Sequence, residues 1–384
     1  MTRQPITLWH IITGLDTGGA ERMLAKLLSG LDRQRFALEV LSLTDIGPVG
    51  KGIQEQGIPV RALGMRRGVP DPAGLLRLAG WLRRGRPRIV QTWMYHADLI
   101  GGLAGMLAGQ KRIAWNIRHS DLAANSKRST IWTARACARL SRLVPARIVC
   151  CSHASQRVHA ALGYAAEKMV VIPNGFDLSA YHPDPAARRA VRQELGLPED
   201  APLIGLIARF DPQKDHETFA QAAGLLRQRR PKAHFLLCGD GIEESNARLA
   251  GWIEAAGAGD RCLLLGRRAD IPRLAAALDI LTSSSAYGEG FPNVVGEAMA
   301  CGVPCVVTDV GDSAQIVGET GMVVPIRAPE RLAAAWEEWI AAGTEERARR
   351  GQAARCRVEA HFSLPAIVGR YTQFYEELAG LCAD

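Results

Sequence analysis

Short apolar runs alternate along this chain with segments whose apolar positions recur every three to four residues. The first pattern fits strands buried on both faces and the second fits amphipathic helices laid over them, so parallel sheets flanked by helices are expected. In the first half the predicted strands are 6–12, 38–43, 60–63, 89–92, 113–117 and 148–152, separated by helices such as 20–31, 72–84, 98–107 and 127–143. A polar, proline-containing stretch at 180–185 reads as a connector. Alternation resumes with strands 203–208, 233–238, 262–265, 280–283, 304–307 and 322–325, and two helices, 330–361 and 365–381, end the chain with no strand between them.

A length of 384 residues suits two domains, each able to bury its own core. The fold class predicted is therefore α/β, with two doubly wound, Rossmann-like domains. Their expected limits are 1–178 and 179–362, with a final helix at 363–384. No run of eighteen apolar residues occurs and the first residues lack a signal-peptide cleavage pattern, so neither a membrane span nor export is expected, and the predicted location is cytoplasmic. None of the nine cysteines forms a C-x-x-C pair and most sit in apolar runs, which suggests buried thiols in a reducing compartment.

Charge divides the chain more sharply than hydrophobicity does. Residues 1–178 hold 25 Lys and Arg against 11 Asp and Glu, whereas 179–384 hold 22 against 28, giving nets of +14 and −6. A basic first half points to an anionic partner. Arg77, Arg83, Arg84, Arg86 and Arg88 lie beside Leu75, Leu76, Leu78, Trp81 and Leu82, and Lys127, Arg128, Arg135, Arg139 and Arg142 accompany Ile131, Trp132 and Leu140. Two readings stand: amphipathic helices that lie peripherally on an anionic membrane, or Arg-rich solvated faces over core helices. Nucleic acid is not expected, because aromatics are only 6% of residues and no recognition motif accompanies the charge.

Candidate chemistry concentrates between Ser283 and Val324. Glu289 and Glu297 stand eight residues apart around the turn Gly290-Phe291-Pro292 and a predicted helix start. Gly288 and Gly290 free the backbone for close approach, and Pro292 fixes φ where the helix at 293–300 begins. The first amides of that helix, from Asn293, Val294 and Val295, would offer an anion site at the positive end of a helix dipole. A ligand with a diphosphate for the amides and hydroxyls for the two carboxylates meets both conditions, as a sugar nucleotide does. The plainer alternative is a pair of acids near a helix start, where the dipole favours them. Arg209 and Lys214 put two cations on the loop after the strand at 203–208, suited to charge that grows on a departing diphosphate. Alternatively they pair with Asp211 and Asp215. No D-x-D acid pair exists to hold a divalent metal, so no metal and no other cofactor is expected. The G-x-G-x-x-G of a nicotinamide-binding domain is missing, and the run from Gly47 to Gly52 lacks the Ser or Thr of a phosphate loop.

The run E-G-F-P-N-V-V-G-E-A-M-A-C-G-V-P resembles the E-x7-E signature of retaining glycosyltransferases of the two-domain GT-B fold, family 4 in particular. The resemblance extends to G-L-I-A-R-F-D-P-Q-K-D-H from Gly205, to V-I-P-N-G-F-D from Val171, and to Gly18-Gly19-Ala20-Glu21-Arg22, and so covers most of the chain. It implies that Glu289 approaches the donor sugar, that Glu297 binds the ribose hydroxyls, and that Arg209 and Lys214 hold the donor diphosphate. It further implies two domains facing across a cleft, with the last helix returning to the first domain. Arg267, Gly18 and Gly19 join the expected donor-binding set, and His119 is a candidate contact to the transferred sugar, although a structural role fits a lone His equally well. His96 is a weaker candidate for the acceptor. Asp312 and Gln315 depart from the family pattern, where Gly and Glu are frequent, and so bear on donor-sugar selectivity.

The function expected is retaining, metal-independent transfer of a hexose-type sugar from a nucleoside-diphosphate sugar, UDP favoured over GDP, to a lipid-linked or glycan acceptor of cell-surface polysaccharide or glycolipid synthesis. The rivals are an epimerase or phosphorylase of the same fold and, from another class, a non-catalytic protein that binds polyanions or membranes.

Overall fold

The computed structural model describes residues 4–66, 69, 71–120 and 128–380. In chain order the first stretch runs β1 (Ile6–Ile12), α1 (Gly19–Gly30), β2 (Phe36–Ser42), α2 (Gly47–Glu55), β3 (Val60–Ala62), α3 (Pro72–Gly85), β4 (Ile89–Trp93), α4 (Tyr95–Leu107), β5 (Ile113–Ile117), α5 (Arg128–Leu140), β6 (Arg147–Cys150), α6 (His153–Ala161) and β7 (Met169–Val171). The second runs α7 (Pro185–Glu194), β8 (Leu203–Ile207), α8 (His216–Arg229), β9 (His234–Cys238), α9 (Ala247–Ala255), β10 (Cys262–Leu264), α10 (Ile271–Ala277), β11 (Ile280–Ser283), α11 (Asn293–Ala300), β12 (Cys305–Thr308), α12 (Ser313–Val317), β13 (Met322–Val324), α13 (Pro329–Ala341) and α14 (Gly343–His361). The last helix is α15 (Leu364–Leu378).

Two compact units result: residues 1–175 with 364–384, and residues 176–363. The first holds a parallel seven-stranded sheet in the order β3-β2-β1-β4-β5-β6-β7. Strands β4 and β5 are buried along their whole length, as strands covered on both faces must be. Helix α15 belongs to this unit: Ile367, Val368, Tyr371, Phe374 and Tyr375 join Met23, Leu24 and Leu27 of α1 in one core. Buried polar contacts supplement that packing. Asn116 Nδ2 donates to the Tyr371 hydroxyl at 3.2 Å, and the Tyr375 hydroxyl donates to Gln91.

The second unit holds a parallel six-stranded sheet in the order β10-β9-β8-β11-β12-β13. Its strand order reverses between β8 and β11, the place at the carboxyl edge of an open α/β sheet where ligands commonly bind. This unit begins at Phe176, three residues before the start expected at 179. The Phe176 ring stacks on Phe291 at 5.9 Å and its amide donates to the Phe362 carbonyl at 2.8 Å, both within the second unit.

Side-chain caps set several helix starts: Asp71, Ser152, Asp184 and Asn246 each accept an amide of their own first turn. Three elements differ from expectation. Strand β7 is present although only three residues long, the run beginning at Gly47 forms α2, and the single helix expected over 330–361 breaks at Gly343, whose φ of +84° interrupts α-helical geometry. The expected contributions of Lys127 and of the chain end at 381 lie outside the described residues.

Candidate functional site

In the second unit the loops after β8 and β11 bring sequence-distant residues together at the strand-order reversal. Lys214 follows β8 and Glu289 follows β11, and Lys214 Nζ lies 2.5 Å from Glu289 Oε1. Both are shielded, with side-chain exposures of 20% and 8%. The Ser285 hydroxyl donates to the same Oε1 at 2.6 Å. Backbone contacts hold the two loops together: the Ala286 amide donates to the Gln213 carbonyl at 2.9 Å, and the Ser284 hydroxyl donates to the Lys214 carbonyl at 2.8 Å. Thr308, from the end of β12, donates to the Ser285 carbonyl at 2.6 Å.

Lys214 therefore does not pair with Asp215, as the plainer reading allowed. Asp215 has a φ of +50° and caps α8, accepting from the Thr218 amide and hydroxyl. Arg209 does pair locally, with Asp211 at 3.1 Å, but its side chain remains 60% exposed and the pair is worth little in water. Burial opposes ionisation of Asp211, yet the Gln213 amide and the Arg209 guanidinium, which both donate to it, hold its carboxyl below the ordinary value. Arg209 is a cation on an exposed tether.

Helix α11 spans Asn293–Ala300, with Pro292 as its N-cap residue and no side-chain cap. Of the three amides expected to be open to an anion, that of Val295 is used within the chain, donating to the Pro292 carbonyl at 3.2 Å in a tightened first turn. The set of three donors expected at this terminus is therefore reduced. Glu297 stands one turn further in and is half-buried. Phe291 stacks on Phe176 and meets Phe362 edge to face, and so anchors the turn. Gly288 adopts φ of +73°, and Gly290 accepts the Asp312 amide at 3.0 Å. Gly311, with φ of +67°, passes so close that a Cβ there would lie 2.3 Å from the Glu289 carbonyl. The loop after β12 is thus pressed against the loop that carries Glu289. Arg267 is exposed directly after Gly266, beyond β10 at the same sheet edge, while its neighbour Arg268 is engaged with Glu194 and Asp270.

The first unit carries the remaining candidates at the carboxyl edge of its own sheet. Gly18 and Gly19 open α1 after β1. His119, beyond β5, stacks on the Tyr95 ring at 5.9 Å, and its carbonyl accepts the Ser155 hydroxyl at 2.6 Å. The Tyr95 hydroxyl in turn meets His159 Nε2 at 2.5 Å. His119 remains solvent-accessible, yet the protein packed around its ring and then the positive charge of Arg118 hold the imidazole below its ordinary value and favour the neutral ring. His96 sits in the first turn of α4, after Met94 with its φ of +72°.

Sequence reading missed Ser284, Ser285, Thr308 and Gly311. The S-S-S run before Glu289 is a signal of sorts, since buried hydroxyls beside an acid must donate to something. Gly311 carried none.

Comparison with known proteins places these units. The model for "Glycosyltransferase Family 4" matches residues 17–180 and that for "Glycosyl transferases group 1" matches residues 187–357. EpsF of Bacillus subtilis is 25% identical over 351 residues, 86% of each chain. The UDP-Gal:alpha-D-GlcNAc-diphosphoundecaprenol alpha-1,3-galactosyltransferase of Escherichia coli is 26% identical over 245 residues, 63% of each chain. Among solved structures, HepE of Anabaena in complex with UDP superposes with a TM-score of 0.84 at 23% identity, over 97% of this chain and 100% of that one. With these two glycosyltransferase models together matching most of the chain and the two-sheet architecture repeated in its structural neighbours, the chain belongs to the family 4 glycosyltransferases of the GT-B fold.

Proposed function

We propose that this glycosyltransferase moves a hexose-type sugar from a nucleoside-diphosphate sugar, UDP favoured over GDP, to a lipid-linked or glycan acceptor, with retention at the anomeric carbon and without a metal ion. The observation that carries the reading is the shielded Lys214–Glu289 pair where the β8 and β11 loops meet. It gathers a cation for the diphosphate and a carboxylate for the sugar, with the start of α11 following in the same loop. The preference for UDP is supported by the UDP complex of HepE, and a lipid-diphosphate acceptor by the name of the Escherichia coli relative.

In this mechanism the bond between the anomeric carbon and the diphosphate oxygen breaks as negative charge gathers on the leaving group. Lys214, Arg209 and the α11 amides stabilise that charge. The acceptor oxygen bonds to the anomeric carbon on the face from which the diphosphate departs, and the hydroxyl proton passes to a departing phosphate oxygen. Glu289 orients the sugar, and Glu297 binds the ribose hydroxyls.

Thermal-shift measurements should show stabilisation by UDP and by a UDP-sugar, since a ligand bound to the native state raises the midpoint by mass action. A larger shift with the GDP counterparts would reverse the base assignment. The configuration of the product's anomeric proton, read by NMR, tests retention, and an undiminished rate in excess EDTA tests metal independence. Donor incubated without acceptor should be recovered unchanged; its epimerisation would favour the rival enzyme reading.

A second feature bears on where the protein works. In the first unit the arginine-bearing helices α3 and α5 expose Leu76 and Trp132, α4 exposes Met106 and Leu107, and Leu143 is exposed just beyond α5. This supports peripheral attachment of the basic unit to an anionic membrane surface. Flotation with anionic liposomes should recover the protein, and equal recovery with neutral liposomes would remove the electrostatic part of the idea.

A further inference from the structure

We infer that Ser285 is a positioning residue for Glu289: its buried hydroxyl fixes the carboxylate by one oxygen and leaves the other to the donor sugar. The inference rests on the role proposed for Glu289. Ser285 is 1% exposed and donates to Glu289 Oε1 at 2.6 Å. Its own carbonyl is fixed from β12 by Thr308 at 2.6 Å, so the hydroxyl is presented from a backbone that is itself held. Lys214 Nζ donates to that same Oε1. Among the described residues no protein donor reaches Oε2, and Oε2 is not among the buried polar atoms that lack a partner, so it keeps access to solvent.

The two donors on Oε1 differ in what happens when a sugar nucleotide arrives. Lys214 is a mobile cation whose attraction to a diphosphate competes with its attraction to Glu289. Ser285 is neutral, enclosed and not available to a phosphate. As Lys214 turns to the diphosphate, Ser285 remains the donor that prevents the carboxylate from rotating, so Oε2 keeps its direction through the step in which Lys214 changes partner.

The test compares Ser285→Ala, Ser285→Thr, Glu289→Gln and the double variant Ser285→Ala/Glu289→Gln, with UDP thermal shifts as the check on folding and nucleotide binding. Ser285→Ala should lower kcat by about ten- to a hundredfold, the range for a hydrogen bond to a charged group, with KM for the donor and the UDP shift little changed. Ser285→Thr keeps the hydroxyl and should recover most of the rate. In the Glu289→Gln background, removing the hydroxyl should cost little further, because the group it positions is already altered. Wild-type kcat in Ser285→Ala beside an impaired Glu289→Gln would overturn the positioning role, as would losses that multiply in the double variant. Wild-type turnover in Glu289→Gln would instead remove the reading on which the inference rests.

Discussion

Lys214 faces two anions in turn, Glu289 in the free protein and, on the proposed mechanism, the donor diphosphate. With the pair shielded from solvent, removing either partner leaves a poorly hydrated charge behind, so single substitutions act on stability as well as on rate. Lys214→Ala is expected to lower kcat by about 10²–10³, the range for losing one preorganised group that stabilises transition-state charge. It should also lower the melting temperature, because Glu289 is 7% exposed and would lose its cation. Glu289→Ala is expected to reduce kcat to a similar extent, while UDP still stabilises the protein, since this carboxylate is assigned to the sugar rather than to the nucleotide. Steady-state rates and UDP thermal shifts on both variants check this, and loss of the UDP shift in Glu289→Ala would reassign the residue. At this scale the sequence showed residue types but not partners. Lys214 and Glu289 stood out as charged residues in loops after buried strands, yet only folding could show that Lys214 prefers an acid seventy-five positions away to its neighbour Asp215.

At the scale of elements, the site depends on how β8 and β11 are held as neighbours. At the amino edge of that sheet, opposite the site, Arg188 and Arg192 of α7 converge on Asp279, just before β11, at 2.7 and 2.6 Å. Asp279 also accepts the Leu203 amide at 2.8 Å, which ties the start of β8 to the start of β11. Arg192 is 2% exposed and donates as well to the carbonyls of Pro198, Glu199 and Ala201. Asp279→Ala should therefore cost about 3–5 kcal/mol, the penalty for stranding a buried charge. Asp279→Leu should not recover that loss, because Arg188, Arg192 and the Leu203 amide all need an acceptor. Chemical denaturation of the two variants measures both, and a cost below about 1 kcal/mol for Asp279→Ala would show the cluster to be incidental. Most elements were legible because their apolar periods are clean. The exceptions have local causes: β7 is only three residues long, too short for an apolar period to show, and α2 opens on glycine and proline, which on their own signal a loop.

Across the whole molecule, three histidines are buried where no charge can be accommodated. Burial holds His10 down at about 3. Burial likewise holds His159 and His216 at about 4, with the charge of Lys214 adding to the effect on His216. In the unfolded chain each would titrate near 6.5, so between about 6.5 and 4 the unfolded state binds more protons than the native one. Stability is therefore expected to be full above about pH 6.5 and to fall as pH decreases toward 4, by up to about 1.4 kcal/mol per pH unit for each histidine. Burial holds the Asp98 carboxyl well above its ordinary value, which gives an opposing slope. Thermal or urea midpoints followed from pH 7.5 to 4.5 in an Asp98→Asn background test the histidine contribution, which stability rising toward pH 4.5 would overturn. His10 and His159 belong to the first unit and His216 to the second, so both units should respond.

The sequence by itself determined the α/β class, the alternation of elements, the division of charge between the halves and the residue types of the candidate site. Each of these follows from local patterning, in which apolar period, turn residues and charge are written in consecutive positions. Tertiary structure alone decided the strand order that sets the β8 and β11 loops side by side, the partners α15 takes in the core of the first unit, and the convergence of Lys214, Ser285 and Thr308 around Glu289. The physical reason is that a buried donor or acceptor takes whichever partner the packed sheet brings within about 3 Å, and that choice belongs to packing rather than to any neighbourhood in the chain.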